Sequence, residues 1–255
     1  MRRPVLLLAV ALVSMAAPAS AAKLQKLADV KAAVASPLRT AENLKLDESR
    51  KPAEILRYAG IREGMKVADL FGGNLYWAEM LSPMVGDKGL VTVWQPTQFQ
   101  TKEGKAFFAK FAAKAKNVHM LESPMEAPNL PHNAYDFVML NLNYHDIYWR
   151  SDKYGVPMMK PDKWVKAVYN SLKRGGQVMV IDHVAERDTG PRESVEKWHR
   201  IDPWVIRKDF RKAGFSMMGY SNILRNNKDD LKVSVFDEKV RGKTDRVVMR
   251  FRKPI

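Results

Sequence analysis

The densest reactive run in this chain is Asn141-Leu142-Asn143-Tyr144-His145-Asp146, which sets two amides, a phenol, an imidazole and a carboxylate within six residues. A neutral imidazole takes up a proton near pH 7, and an adjoining carboxylate can orient it or stabilise its charge. His145 is therefore the first candidate for a general base, with Asp146 orienting it and Asn143 and Tyr144 positioning a substrate. Asp182-His183 repeats the pairing and makes His183 the second candidate. The segment "WHRIDPW" adds His199, Arg200 and Asp202. None of these three histidines has an i, i+4 partner or an H-E-x-x-H frame, so no metal site is expected. A G-x-S-x-G elbow and a P-loop lysine are both missing, which removes the support for hydrolase and kinase readings.

A second set of residues suits a nucleotide-like ligand. In "MKVADLFGGNLYW", Asp69 closes an apolar run and Gly72-Gly73 follow, so a ligand can approach the backbone amides where side chains are missing. A tight strand-to-helix turn without a ligand would read the same way. The G-x-G-x-x-G spacing of a dinucleotide site is interrupted by Asn74, Leu75, Tyr76 and Trp77, which argues against a nicotinamide cofactor. Gln95 stands at the end of "GLVTVWQP", where its amide oxygen can accept one sugar hydroxyl without bringing charge. A polar strand end explains it equally well.

These residues need elements to bring them together. "AGIREGMKVADLF", "GLVTVWQP", "NVHMLES", "YDFVMLNLNY" and "QVMVIDHV" read as five strands. Between them "LYWAEMLSPMVG", "EGKAFFAKFAAKAKN" and "DKWVKAVYNSLKRGG" read as helices, the last closed by glycine. Alternation of this kind demands a mostly parallel sheet with helices on both faces, and ligands then bind beyond the carboxyl ends of its strands. "PWVIRKDFRKAGF" is a further helix. "FSMMGYSNIL" and "RVVMRFRK" follow without a crossover helix and can pair antiparallel at one edge. Upstream, Leu24 to Ser36 is helix-like, and a helix starts near Pro52.

Composition bounds the rest. Met1-Arg2-Arg3, the apolar run Val5 to Val13 and Ala19-Ser20-Ala21 together read as a signal peptide over 1–21, cleaved near Ala21, which predicts an exported, periplasmic protein. The expected division continues with an N-terminal helical arm or lid over 22–48 and one domain over 49–255. There is no cysteine, hence neither a disulfide nor a thiolate metal site. The formal charge of +15 is scattered along the chain. That field supports a weak attraction to anionic membrane or cell-wall surfaces, but no basic run with interleaved aromatics marks a nucleic-acid site.

The strand ends and the segments "LDESRKPAEILRYAGIREGMKVADLF", "NLNYHDIY", "LKRGGQVMVIDHVAERDTG", "WHRIDPWVIRKDFRKAGF" and "VFDEKVRGKTDRVVMRFRKP" together resemble a class I S-adenosylmethionine-dependent methyltransferase, more narrowly a family of exported predicted methyltransferases. The resemblance implies a Rossmann-like α/β fold, with a seven-stranded, mostly parallel sheet and an antiparallel last strand. It implies S-adenosylmethionine as cofactor and a small-molecule acceptor. Asp69, Gly72 and Gly73 would then lie at the methionine and ribose loop, Gln95 at the ribose, and Ser123, Pro124 and Met125 near the adenine. Asn141 to Asp146 would face the transferred methyl group. The class favours glycine where Phe71 and Leu75 stand and an acid where Gln95 stands. Those departures, with the export signal, motivate an alternative: a non-catalytic envelope binding protein that keeps the fold and holds another small ligand or partner.

Overall fold

The structure, a computed structural model, describes residues 26–255, so the expected signal peptide lies outside the described residues. Its strands are β1 (Lys66–Leu70), β2 (Leu90–Pro96), β3 (Val118–Ser123), β4 (Tyr135–Asn141), β5 (Leu172–His183), β6 (Ser216–Ser221) and β7 (Arg246–Arg252). They form one sheet in the order β3-β2-β1-β4-β5-β7-β6. The first five pair in parallel, and β7 runs antiparallel to both β5 and β6. The order reverses between β1 and β4, the place where connections diverge to opposite faces and leave a crevice.

The N-terminal region holds α1 (Val30–Val34), α2 (Ala41–Leu44), α3 (Asp47–Arg50) and α4 (Pro52–Ala59). Then come α5 (Ala78–Val85) after β1, α6 (Lys102–Ala112) after β2, α7 (Pro161–Ser171) before β5, and α8 (Pro191–Trp198) and α9 (Pro203–Ala213) before β6. Proline opens α4, α7, α8 and α9 at the first turn, where its missing N–H costs nothing. Asp202 caps α9 by accepting the Trp204 N–H at 2.8 Å.

Side chains along β5 alternate between the two faces. Val178 and Val180 join Trp164, Val168, Ile206 and Phe210 in one apolar layer, while Met179 and Ile181 join Ile55, Leu56, Leu81 and Val67 in the other. Each such fully buried aliphatic group contributes about 1.5–3 kcal/mol relative to exposure. Two packed layers on one sheet leave its carboxyl-end loops as the free edge.

Three expectations differ from the structure. The helix expected to run through "LKRGG" ends at Ser171, and Leu172 is already extended (φ −79°, ψ 142°) and fully buried. Packing of Leu172 overrides the helical preference of Lys173 and Arg174, and left-handed Gly175 (φ 76°) lies where the chain re-enters the ladder. The Leu24–Ser36 helix is limited to Val30–Val34 among the described residues, since Leu27 instead bridges Arg62. Helix α8 has no counterpart among the expected elements, because half of its residues are charged and it buries only Ser194 and Val195.

Candidate active site

The turn after β1 keeps a glycine-like backbone with few glycines. Phe71 (φ 58°) and Leu75 (φ 61°) both stand in the left-handed region, at an order-of-magnitude cost of about 1–3 kcal/mol each. Packing offsets it: Leu75 is fully buried, and the Phe71 ring meets Trp94 edge-on at 4.8 Å and stacks toward Trp164 at 6.2 Å. At Gly72 a Cβ would fall 2.6 Å from Asp69 Oδ2, and at Gly73 one would fall 2.5 Å from Gln95 Oε1. A side chain at Gly72 would also meet the Asp69 backbone carbonyl at 3.0 Å, whereas one at Gly73 would have to displace the Gln95 amide.

Between this turn and the end of β4 lies a cleft of about 200 Å³, walled by Arg50, Asp69, Gly72, Asn74, Asn141 and Asn143. Asp69 Oδ2 is buried with no hydrogen-bond partner among the described residues. Burial drives the Asp69 pKa up to about 7, although Arg50 and the Ala78 N–H pull the other way. Arg50 sits 4.3 Å over the Tyr76 ring, its pKa lowered by burial. It is delivered by a segment tied down over the turn. Arg39 makes a two-pronged pair with Asp47 (2.6 Å each), Tyr76 Oη donates to Asp47 at 2.8 Å, and Asn43 donates to the Asn74 carbonyl at 3.0 Å. The cleft thus holds a carboxyl and a guanidinium together.

Leu142 and Asn143 are shared with a second hollow of about 550 Å³. Rings of Phe99, Trp149, Tyr154 and Phe236 form much of its wall, and His145, His183 and His199 line it. His145 is held by Asp182, whose Oδ1 lies 2.7 Å from Nδ1 and whose Oδ2 accepts the His145 backbone N–H at 2.8 Å. Asp146 Oδ1 stands 3.4 Å from Nε2, and Asn143 donates to Asp146 Oδ2 at 3.0 Å. Burial by itself lowers the His145 pKa, but the charges of Asp182 and Asp146 and the Asp182 hydrogen bond outweigh it and lift the pKa to about 9.

The other two imidazoles go the opposite way. His183 is pushed well down by burial and then by the positive His145, and its Nδ1 lies 2.7 Å from Thr244 Oγ1. His199 is lowered by burial and then by His145. Its Nδ1 lies 2.8 Å from the Val195 carbonyl, which can only accept, so the proton sits on Nδ1. Nε2 is left as a bare acceptor. His199 gains this place as the left-handed cap (φ 53°) of α8.

Asp69, Gly72, Asn141, Asn143, His145, Asp146 and His183 thus come together at one end of the sheet. Two expectations need correction. Tyr144, expected to face a substrate, is fully buried at the start of the short 3-10 turn His145–Tyr148 and donates to Asp209 Oδ2 on α9 at 2.6 Å. Asp146 is not the principal orienting acid for His145, a part taken by Asp182. Ser123 Oγ is engaged by the Trp94 Nε1–H at 2.7 Å, and Met125, beyond Pro124, is buried with its carbonyl accepting from Trp164. Gln95 accepts from the Gly73 N–H at 3.1 Å and donates to the Phe99 carbonyl at 3.4 Å. Nothing in the sequence singles out Arg50, one of several cations in a polar stretch. Among the described residues, no group of three or more histidines and carboxylates is arranged to hold a metal.

No family model matches the chain. Over 126 residues it is 29% identical to a ubiquinone/menaquinone biosynthesis C-methyltransferase UbiE of Shewanella sediminis, a match covering 49% of this chain and 45% of that protein. The chain therefore spans about half the length of the curated relatives it matches. A solved SAM-dependent methyltransferase from Aquifex aeolicus aligns at TM-score 0.57 and 21% identity, over 88% of this chain and 98% of the other. This is the class I methyltransferase fold. The methyltransferase fold is also carried by the [4+2]-cyclase SpnF, which aligns at TM-score 0.58 and 14% identity over 81% of each chain. Fold alone therefore does not name the reaction, and the side chains must.

Proposed function

We propose that this chain is an S-adenosylmethionine-dependent methyltransferase acting on a small aromatic acceptor, with His199 as the proton acceptor. One observation carries the reading: a buried carboxylate, Asp69, whose Oδ2 has no hydrogen-bond partner among the described residues, shares a cleft with the guanidinium of Arg50, and that cleft adjoins the histidine-lined hollow through Leu142 and Asn143. A carboxylate and a guanidinium in one small cleft suit the ammonium and carboxylate of an amino-acid group. The side-chain-free Gly72 and Gly73 suit the close approach of the remainder. The residues fit the cofactor at this end. At the other end, Gln95 and Phe71 would face the sugar and base.

Bound there, the cofactor would supply an electrophilic methyl on a sulfonium sulfur. The protein's task is then alignment and removal of a proton. Asp69 and Arg50 hold the cleft end, and Asn141 and Asn143 line the passage between cleft and hollow. The aromatic walls orient a flat acceptor. His199 Nε2 would take up the proton that the acceptor gives up. His145, held positive, keeps His199 and His183 neutral, so it serves as an electrostatic positioning residue and not as the base. The basic start, apolar run and Ala19-Ser20-Ala21 of the sequence support export of this enzyme.

Titration calorimetry with S-adenosylmethionine and S-adenosylhomocysteine tests the reading. Saturable binding of either ligand, weakened about tenfold to a hundredfold in Asp69→Asn, is expected. No heat at millimolar concentration ends it. A second reading, a binding protein without turnover, is favoured by Gln95 closing on Gly73 and by the Phe71, Trp94 and Trp164 rings packed beside it. Methyl transfer to any member of a phenol and catechol panel, lost in His199→Gln, excludes that alternative.

A further inference from the structure

A third concavity, of about 380 Å³, shares no lining residue with the histidine hollow and opens between the α2–α3 segment and the long connection from β6 to β7. Lys45, Lys51, Arg225, Arg241, Lys243 and Arg246 line it, against a single acid, Glu48. Arg225 is committed to Asp245 (2.7 and 2.9 Å), and Lys51 donates to the Ile223 carbonyl. Lys45, Arg241 and Lys243 make no side-chain ion pair among the described residues.

Arg246 is the unusual member. It is only 6% exposed, yet the one side-chain hydrogen bond it makes among the described residues is a long contact, 3.4 Å, from Nε to the Thr244 carbonyl. The carboxylates that could have neutralised it are already engaged. Asp245 takes Arg225 and the Asn226 N–H, and Asp229 takes the buried Arg200 (2.7 and 3.1 Å) and the Asp245 N–H. Burial, followed by repulsion from Arg50, pulls the Arg246 pKa down to about 10. Asp245 and Asp229 reach the Arg246 guanidinium only through their charge, with no hydrogen bond to it. Such a residue in the wall of an open concavity, beneath three unengaged cations, is arranged for an anion arriving from solvent.

We propose that this concavity is a phosphate-type oxyanion site, with Arg246 as its buried anchor and Lys45, Arg241 and Lys243 as its rim. The anion is either free or the headgroup of an acidic lipid. The site is separate from the methyl-transfer reading and stands whether or not the chain transfers methyl groups.

The full chain is titrated with sodium pyrophosphate and, in a second arm, floated with phosphatidylglycerol vesicles. Wild type is compared with Arg246→Gln, Lys243→Gln and Lys163→Gln, the last removing the same charge from the basic hollow on α7. Expected is one-site binding in at least one arm, weakened about tenfold or more in Arg246→Gln and a few-fold in Lys243→Gln, and unchanged in Lys163→Gln. Binding of pyrophosphate alone identifies a free phosphate, and capture by vesicles alone identifies a headgroup. If Arg246→Gln fails to fold, Lys243→Gln decides. No binding in either arm, or equal loss in Lys163→Gln and the site variants, overturns the site.

Discussion

His145 makes the chemistry of single residues readable as a pH dependence. Folding raises its pKa from 6.5 to about 9. The resulting stabilisation is complete below pH 6.5 and is lost as the pH rises through about 9, a contribution of about 3 kcal/mol in order of magnitude. Melting temperature should therefore fall across that window in wild type and stay flatter in His145→Gln. Asp69 has the opposite chemical type. Its carboxyl rises from 3.8 to about 7, so the folded state keeps a proton that the unfolded chain releases, and stability falls as the pH climbs through that interval. Asp69→Asn should melt higher than wild type at pH 8 with a smaller difference at pH 5, while binding the cofactor more weakly. A gain in stability joined to a loss of binding is what a functional buried charge predicts. His199 differs again: with its pKa below 6.5, activity should rise through that pKa from the acid side and persist above neutrality. A rate profile that climbs only near pH 9 would return the base to His145.

At the scale of elements, the connection from β6 to β7 is braced by Arg200 and Asp229, both side chains fully buried. Arg200→Met strands the carboxylate and should cost about 3–5 kcal/mol, read by urea denaturation, with the His199 and Phe236 wall disordered first. Much of this architecture was legible in the sequence. Apolar runs of strand length with polar ends placed Asp69, Asn141 and His145 at one edge, because strand ends in an alternating α/β chain converge there. Other features had no local signature. The partner of His145 is Asp182, on another strand, and Asp146 beside it in sequence looked the better match. Arg50 is drawn in only by the Arg39–Asp47–Tyr76 contacts, which no periodicity encodes. Phe71 and Leu75 hide the turn's left-handed backbone, since those residue types ordinarily argue against it. Leu75→Gly would relieve that strain but remove a buried side chain, and the second effect is larger by roughly 1–3 kcal/mol.

For the whole molecule, a ligand that binds only the folded chain must raise its melting point. S-adenosylhomocysteine at a hundredfold over its dissociation constant should add about 2.7 kcal/mol, roughly 5 to 10 °C at this chain length. A flat melting curve over that range would favour the reading without cofactor. The sheet also carries a consequence of its own. Because β7 is threaded backwards between β5 and β6, its first residue lies beside His183, so the preceding loop must end at the reactive edge. That loop supplies Val235 and Phe236 to one cavity and Arg241 and Lys243 to another, while none of it enters the cleft of Asp69. Phe236, Arg241 and Lys243 can therefore be exchanged to alter what enters those two cavities without touching the cleft, provided Asp229 stays to hold Arg200.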